Sequence, residues 1–193
     1  DLTQDIKEKI GLFCNVPVDR VITARDAETI YEVPLLLADQ GIDSEVSEAL
    51  NIWSRATDME KWRNLVHRIK EPSRETEIAI VGKYVDMHDS YKSLNEALLH
   101  AGVANDARVE LDFVDSEELT DDNVAERLGD CGAILVPGGF GERGMDGKIS
   151  AIRYARENDV PFFGICLGMQ LAVVEYAKNV CGIEDANSIE FDE

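Results

Sequence analysis

Four short apolar segments alternate with four amphipathic segments after residue 76, and this alternation limits the possible folds more than any other feature. The predicted strands are 77–84, 107–115, 132–136 and 160–165, and the predicted helices are 90–102, 120–130 (capped by Thr120), 146–157 and 167–179. A strand that is followed by a helix and a second strand normally returns to the same sheet in parallel orientation. We therefore expect an α/β fold in which helices cover both faces of a parallel sheet.

The residues before 77 contain few strand-like segments. The segment 10–16 predicts a short buried strand. The segment 26–41 predicts a helix that bends or breaks near Pro34 and stops at Gly41, and 59–70 predicts an amphipathic helix.

A charged, proline-containing stretch separates these two parts of the chain and predicts a linker at 71–77. We expect residues 1–70 to be the end of a larger domain. We expect residues 78–193 to belong to the α/β domain.

The chain carries 39 acidic and 19 basic residues, a formal net charge of −20. This charge disfavours nucleic acids as partners, because binding to their phosphates needs basic side chains. The acidic residues are spread over helices and loops rather than gathered in a tail. We hypothesise a solvated acidic surface of the kind that halophilic proteins carry.

The sequence lacks a run of about 18 apolar residues, so a membrane span is not expected. The polar start DLTQDIKEK has no apolar signal-peptide core, which favours a cytoplasmic protein. The four cysteines form no C-x-x-C pair and there are three histidines. Reduced thiols are therefore expected, and a metal site is not.

The sequence GICLG at 164–168 lies where a predicted strand meets a predicted helix. A nucleophile between two glycines at such a junction predicts a sharp, strained turn that exposes the thiol of Cys166. The N-terminus of the following helix favours negative charge and therefore the thiolate. The backbone N–H of Leu167 is then placed to donate to an oxyanion at the attacked carbonyl.

The glycine-rich stretch PGGFG at 137–141 follows another predicted strand. Gly138 and Gly139 have no Cβ, so their N–H groups can approach the same oxyanion. A turn without a ligand is the alternative interpretation, but two such segments at two strand ends together favour acyl chemistry at Cys166. A base is also needed, and His88 is a candidate, with a solvated loop histidine as the other interpretation.

The sequence FGICLGMQ resembles the nucleophile motif of the class I, or triad, glutamine amidotransferases, whose parallel sheet is flavodoxin-like. Further segments resemble the CTP synthase family, in the same order and over about residues 7 to 191. They are LFCNV, DAETIYEVPLLL, VGKYVDMHDSYKSLNEALLHAG, AILVPGGFGERG, GK at 147–148, ARENDVPFFGICLGMQLAVVEYA and ANSIEF.

The resemblance implies a carbon–nitrogen ligase that makes CTP from UTP with ATP and glutamine. In that family a glutaminase domain forms a glutamyl thioester on the elbow cysteine, here Cys166, and releases ammonia. An amidoligase domain phosphorylates O4 of UTP, and ammonia displaces the phosphate. The resemblance places 1–70 at the end of a P-loop-type amidoligase domain and 78–193 in a glutaminase domain truncated at its C-terminus.

The resemblance also implies site residues and partners. The glutamine site would be formed by Gly139, Leu167, Gly168, Met169, Gln170 and Glu190. Lys9 would bind UTP or CTP. Arg25, Asp26 and Ala27 would contact ATP. Mg²⁺ would accompany ATP, with ligands outside this chain. The family further implies a homotetramer, partly packed through 31–37, with CTP and GTP as effectors.

The chain departs from the family pattern in two ways. The family shows Ser-Thr-Glu-Phe where this chain has Ser-Ile-Glu-Phe at 188–191. The family's catalytic His and Glu, its ATP phosphate loop and its magnesium carboxylates have no counterpart here, so we expect little or no glutaminase turnover. Two alternatives stay open: another cysteine hydrolase of the same fold, such as a γ-glutamyl hydrolase, and a non-catalytic binding or assembly module.

Overall fold

The computed structural model describes residues 2–53, 57–83, 88–139, 141 and 143–188, with the side chains of residues 88 and 89 left out. The chain divides into two compact units, Asp1–Glu71 and Pro72–Glu193. In the described part of the chain, no helix combines the length and the apolar character that crossing a bilayer requires.

The first unit is helical. Its elements are α1 (Gln4–Cys14), α2 (Val33–Ala38), α3 (Ile42–Ala49) and α4 (Glu60–Lys70), with short 3-10 turns at Val18–Arg20 and Ile30–Glu32. The helix predicted at 59–70 is confirmed as α4.

The strand predicted at 10–16 is wrong, because α1 continues to Cys14 and the chain then turns through Asn15, whose φ is 53°. A strand needs a neighbouring strand for its backbone hydrogen bonds, whereas a helix satisfies them internally. The described residues of this unit contain no strand, so the helix is favoured. Phe13, expected to follow Lys9 along a strand, is 78% exposed on α1.

The helix predicted within 26–41 begins later than expected. A 3-10 turn leads into α2, and Pro34 lies in its first turn, where a missing backbone N–H is tolerated. Gly41, with φ 76°, then ends this segment as predicted. The sequence analysis did not predict α3, which begins immediately afterwards.

Two side chains hold the first unit together by hydrogen bonds to the backbone. Trp62 donates its Nε1–H to the carbonyl oxygen of Tyr31 at 2.7 Å, and the two ring centroids are 6.5 Å apart. Gln40 accepts the N–H of Thr23 at 2.8 Å and donates to its carbonyl oxygen at 2.8 Å. Within the irregular segment 21–27, the Gln40 amide therefore satisfies the backbone N–H and C=O of Thr23, as a neighbouring strand would in a sheet.

The second unit contains one parallel sheet, with the strand order β2-β1-β3-β4. Its strands are β1 (Arg74–Gly82), β2 (Ala107–Asp115), β3 (Ala133–Val136) and β4 (Phe162–Gly164). Its helices are α5 (Lys92–Ala104), α6 (Val124–Leu128), α7 (Met145–Glu157) and α8 (Leu167–Asn179), and a 3-10 turn at His88–Tyr91 precedes α5. The predicted alternation and the parallel sheet are confirmed.

Several boundaries differ from the predictions by a few residues, and two of these differences have a clear physical reason. β1 begins at Arg74, inside the predicted linker, because its backbone already pairs with β2 from Arg74 opposite Ala107. The residue at the N-cap of α6 is Asn123, so the prediction of Thr120 as the cap is wrong. The Asn123 side chain accepts the N–H of Thr120 at 2.8 Å and donates to the carbonyl oxygen of Glu118 at 2.9 Å.

Both faces of the sheet are covered at β1. Ala79 and Val81 of β1 belong to the apolar core that includes residues of α7 and α8. Ile80 points to the other face, because side chains alternate along a strand, and it is also fully buried. It lies opposite Phe113 of β2, whose ring stacks on Tyr91 at 6.0 Å.

An ion pair with a buried carboxylate joins α7 to α8. Glu175 is 1% exposed and accepts hydrogen bonds from Arg156 at 2.7 and 3.1 Å and from Asn179 at 3.1 Å. Burial by itself raises the pKa of Glu175, but the hydrogen bonds from Arg156 and Asn179 lower it more. The pKa therefore lies below its ordinary value of 4.5.

We expect Glu175→Gln to lower the free energy of unfolding by about 2 kcal/mol near pH 7, because it leaves Arg156 without its buried partner. Since the folded pKa is depressed, this stabilisation is present above the unfolded pKa and is lost as the pH falls through the folded pKa. Urea denaturation from neutral to acidic pH measures the difference, which should shrink towards acid.

The matched control is Glu157→Gln, because Glu157 is exposed and binds the same Arg156 at 3.0 Å. Loss of this exposed pair should change the stability by less than about 0.5 kcal/mol. Equal losses of unfolding free energy in both variants would show that the buried carboxylate contributes no more to stability than the exposed one.

Candidate active site

The carboxyl ends of the parallel strands lie along one edge of the sheet, and the strand order reverses between β1 and β3. β1 lies between β2 and β3, so the connection from β1 leads to one side and the later strands lie on the other. In open α/β sheets, ligands bind at this edge and at this point. The two glycine-rich segments found in the sequence follow β3 and β4 at this edge.

Cys166 forms a strained turn between β4 and α8. Its φ is 51° and its ψ is −105°, a backbone conformation that residues with a side chain rarely adopt. The N–H of Ile165 donates to the carbonyl oxygen of Val136 at 2.9 Å, which ties this turn to β3. The Cys166 side chain is exposed at the N-terminus of α8. The predicted nucleophile elbow is therefore present.

The glycines on either side of this turn have no space for a side chain. A Cβ on Gly164 would lie 2.5 Å from the carbonyl carbon of Gly168. A Cβ on Gly168 would lie 2.1 Å from the carbonyl oxygen of Val136. Both contacts are with backbone atoms, which cannot move aside, so the turn requires glycine at both positions.

The glycine-rich loop after β3 lies directly beside the nucleophile. A Cβ on Gly138 would lie 3.5 Å from the Cβ of Cys166, and a Cβ on Gly139 would lie 3.4 Å from Cδ2 of Leu167. The first N–H groups of a helix have no partner within it, which makes the Leu167 N–H available to a ligand. The structure thus brings together the residues from which the sequence predicted an oxyanion site.

Gln170 supplies a polar group one helical turn after the nucleophile. Its N–H donates to the carbonyl oxygen of Cys166 at 3.0 Å, as in a regular helix. Its side-chain Oε1 is buried and accepts no hydrogen bond from the described residues. Because a buried acceptor is normally satisfied, this oxygen suits a donor from a bound molecule. Met169, also predicted for the glutamine site, is 53% exposed on the same turn.

Two other predictions at this site concern groups outside the described residues. They are the side chain of His88, considered as a base, and Glu190, assigned to glutamine binding. Both stay predictions.

The residues predicted for nucleotide binding lie in the first unit. Lys9 is exposed on α1, and Arg25, Asp26 and Ala27 lie in the segment that follows Thr23. Among the described residues, no three His, Cys, Asp or Glu side chains are grouped so that they could hold a metal ion.

Lys148 lies at this site, although the sequence analysis gave it no role and named it only within the family-like segment GK at 147–148. It is 1% exposed on α7, and its Nζ lies 3.8 Å from the place that a Cβ on Gly139 would occupy. Burial, and secondarily the like charge of Lys83, lowers the pKa of Lys148 from 10.5 to about 8. Lys83 itself donates to the carbonyl oxygen of Gly141 at 3.3 Å.

The helical periodicity of the sequence indicates that Lys148 is buried. Lys148 stands three residues after Met145 and four before Ile152, so these three residues share one helical face. Ile152 is in the core, and Met145 packs against it. A lysine on the apolar face of a helix is the pattern that would have pointed to Lys148.

Comparisons with known proteins agree with this geometry. Residues 86–191 match the family Glutamine amidotransferase class-I, and residues 1–52 match the family CTP synthase N-terminus. The first match covers more than half of the chain, which therefore belongs to the class-I glutamine amidotransferase family.

The particular relatives are CTP synthases. The chain is 58% identical over 192 residues to those of Syntrophus aciditrophicus (strain SB) and Geobacter sulfurreducens, with 100% and 99% of this chain aligned. It spans 36% of each relative's length. The glutaminase domain of Trypanosoma brucei CTPS with bound acivicin is similar in structure, with a TM-score of 0.57 and 46% identity over 61% of this chain and 46% of that one.

We expect Gly164→Ala to lower the free energy of unfolding by about 3 kcal/mol or more, because the new methyl group would overlap the backbone of Gly168. Gly138→Ala should change it by less than about 1 kcal/mol, because its methyl group would make an ordinary contact at 3.5 Å. Chemical denaturation of the two variants measures this contrast. Similar losses would contradict the packing described for the elbow.

We expect Lys148→Met to raise the free energy of unfolding by about 2–3 kcal/mol near pH 7, because it removes a buried charge. The folded pKa is about 8 and the ordinary value is 10.5, so the unfolded chain binds more protons between these values. Wild-type stability should therefore rise with pH across this range, and Lys148→Met should not show this rise. A wild-type curve that is flat between pH 8 and 10.5 would contradict the burial of an unpaired ammonium.

Proposed function

We propose that this chain is part of a CTP synthase, which aminates UTP to CTP with ATP and with ammonia released from glutamine at Cys166. The observation that carries the proposal is the strained Cys166 backbone, with φ 51°, in contact with the Gly138 loop. The family match and the similar CTP synthases support it. A cysteine in an unstrained turn would have favoured a purely structural role.

The proposed reaction at the elbow is acyl transfer. The thiolate of Cys166 attacks the side-chain carbonyl carbon of glutamine, and the N–H groups of Gly139 and Leu167 stabilise the oxyanion. The carbon–nitrogen bond then breaks, and the nitrogen leaves as ammonia after it gains a proton. Water hydrolyses the resulting glutamyl thioester to glutamate and restores the thiol.

Two groups would orient the substrate. The Oε1 of Gln170, which has no donor among the described residues and lies one helical turn from the nucleophile, would accept a hydrogen bond from glutamine. Glu190 would pair with the α-ammonium group, an assignment that rests on the family resemblance.

The nucleotide sites stay part of the proposal. Lys9 would serve UTP or CTP, and Arg25, Asp26 and Ala27 would contact ATP. The two hydrogen bonds from the Gln40 side chain to the backbone of Thr23 support the ATP assignment, because they fix the chain just before Arg25. Mg²⁺ would bind together with ATP. Among the described residues, no group of His, Cys, Asp or Glu side chains is suited to hold it.

The wider properties are proposals on the same basis: a cytoplasmic homotetramer with CTP and GTP as effectors, with an acidic surface suited to high salt. The exposure of Leu12, Phe13 and Trp53 at 79%, 78% and 83% supports packing of the first unit against further protein. The same exposure supports the assembly role that the sequence left open.

The test is covalent labelling of Cys166, because no described residue is assigned as the base. A chloroketone analogue of L-glutamine should alkylate Cys166 faster than Cys14 and Cys181, which are also exposed. L-Glutamine should protect Cys166, and D-glutamine should not. Protection by a γ-glutamyl dipeptide but not by glutamine would instead favour a γ-glutamyl hydrolase.

Gln170→Ala should raise the glutamine concentration that protects Cys166 by about tenfold, the effect of one lost hydrogen bond in a buried site. Val173→Ala, on the next turn of α8 and 64% exposed, is the matched control and should leave protection unchanged. Labelling of Cys166 no faster than of Cys14, without protection by glutamine, would refute the proposed site.

A further inference from the structure

Lys148 is the largest fully buried side chain of the described residues. Moving an ammonium group out of water is strongly unfavourable unless another charge or several hydrogen bonds compensate for it. A buried lysine that lacks such compensation therefore needs an explanation other than stability.

The described part of the chain offers Lys148 no compensation. No described carboxylate forms an ion pair with it, and the side-chain charge that acts on it is that of Lys83, which has the same sign. The contrast with Glu175 is direct, because that buried group accepts hydrogen bonds from Arg156 and Asn179. Lys148 thus places a positive charge beside the glycine-rich loop.

The position of the ammonium connects it to the nucleophile. A Cβ placed on Gly139 would lie 3.8 Å from Nζ of Lys148 and 3.4 Å from Cδ2 of Leu167. The preceding residue, Gly138, faces the Cβ of Cys166. The ammonium therefore lies beside Gly139, in the loop whose backbone would receive the oxyanion.

We infer that Lys148 is a positioning residue of the thiol site: its buried ammonium holds a fixed positive charge behind the Gly138–Gly139 loop. This charge stabilises the negative charge that develops at the attacked carbonyl. Charges act over longer distances when water is excluded, and a charge that is already in place needs no rearrangement during the reaction. The inference rests on the proposed function, because acyl transfer is what creates negative charge there.

The test compares two small reagents that alkylate thiols and differ in charge. Iodoacetate is an anion and iodoacetamide is neutral, so the ratio of their rates at Cys166 reports the local potential. The reaction is followed by mass spectrometry of the Cys166 peptide from the 193-residue chain. About 0.3 M salt screens the field of the net charge of −20 and leaves the nearby buried charge less affected.

Lys148→Met should lower the iodoacetate-to-iodoacetamide ratio at Cys166 by about fivefold. Lys148→Arg, which keeps the charge, should retain the wild-type ratio. Lys178→Met removes an exposed lysine of α8 and is the matched control, whose ratio should stay unchanged. Urea denaturation of each variant establishes that it is folded.

A change in packing alone would alter both rates and leave their ratio constant. A constant ratio in folded Lys148→Met would therefore overturn the inference, whether or not the individual rates change. This failure is distinct from failure of the proposed function, which would show as a wild-type Cys166 that glutamine does not protect.

Discussion

The contact between Gly168 and the carbonyl oxygen of Val136 is the constraint on which the site depends. It brings the first turn of α8 so close to β3 that a Cβ would lie 2.1 Å from that oxygen. The chain must then reverse sharply at Cys166, whose φ of 51° is the consequence. Energy for this strained residue comes from the packing around it, and the same packing exposes the thiol at a helix N-terminus beside the Gly138 loop.

Two buried charges on the same pair of helices illustrate different physical roles. Glu175 is satisfied by Arg156 and Asn179, and it links α7 to α8. Lys148, on the turn of α7 near the site, is buried without such partners among the described residues. The first arrangement stabilises the fold, whereas the second weakens it and places a positive charge where acyl chemistry needs one.

The second unit could be predicted well because its signals are local. Apolar strands and amphipathic helices alternate there, and glycine-rich turns mark the strand ends, so the elbow at Cys166 and its loop neighbours followed from the sequence. The first unit could not, because 10–16 has strand-like composition but no strand partner among the described residues of its unit, and it forms the end of α1. The burial of Lys148 was not predicted, because burial of a lysine depends on tertiary packing and not on local composition.

The most direct measurement compares the rate at which iodoacetamide alkylates Cys166 in the folded chain and in the chain unfolded by urea. If the elbow activates the thiol, folding should accelerate this reaction, because unfolding removes the turn, the helix N-terminus and the nearby charge. Cys131 is the internal reference, since burial raises the pKa of its thiol and folding should slow its reaction. A Cys166 that reacts no faster in the folded chain than in urea would contradict the claim that this fold prepares it as a nucleophile.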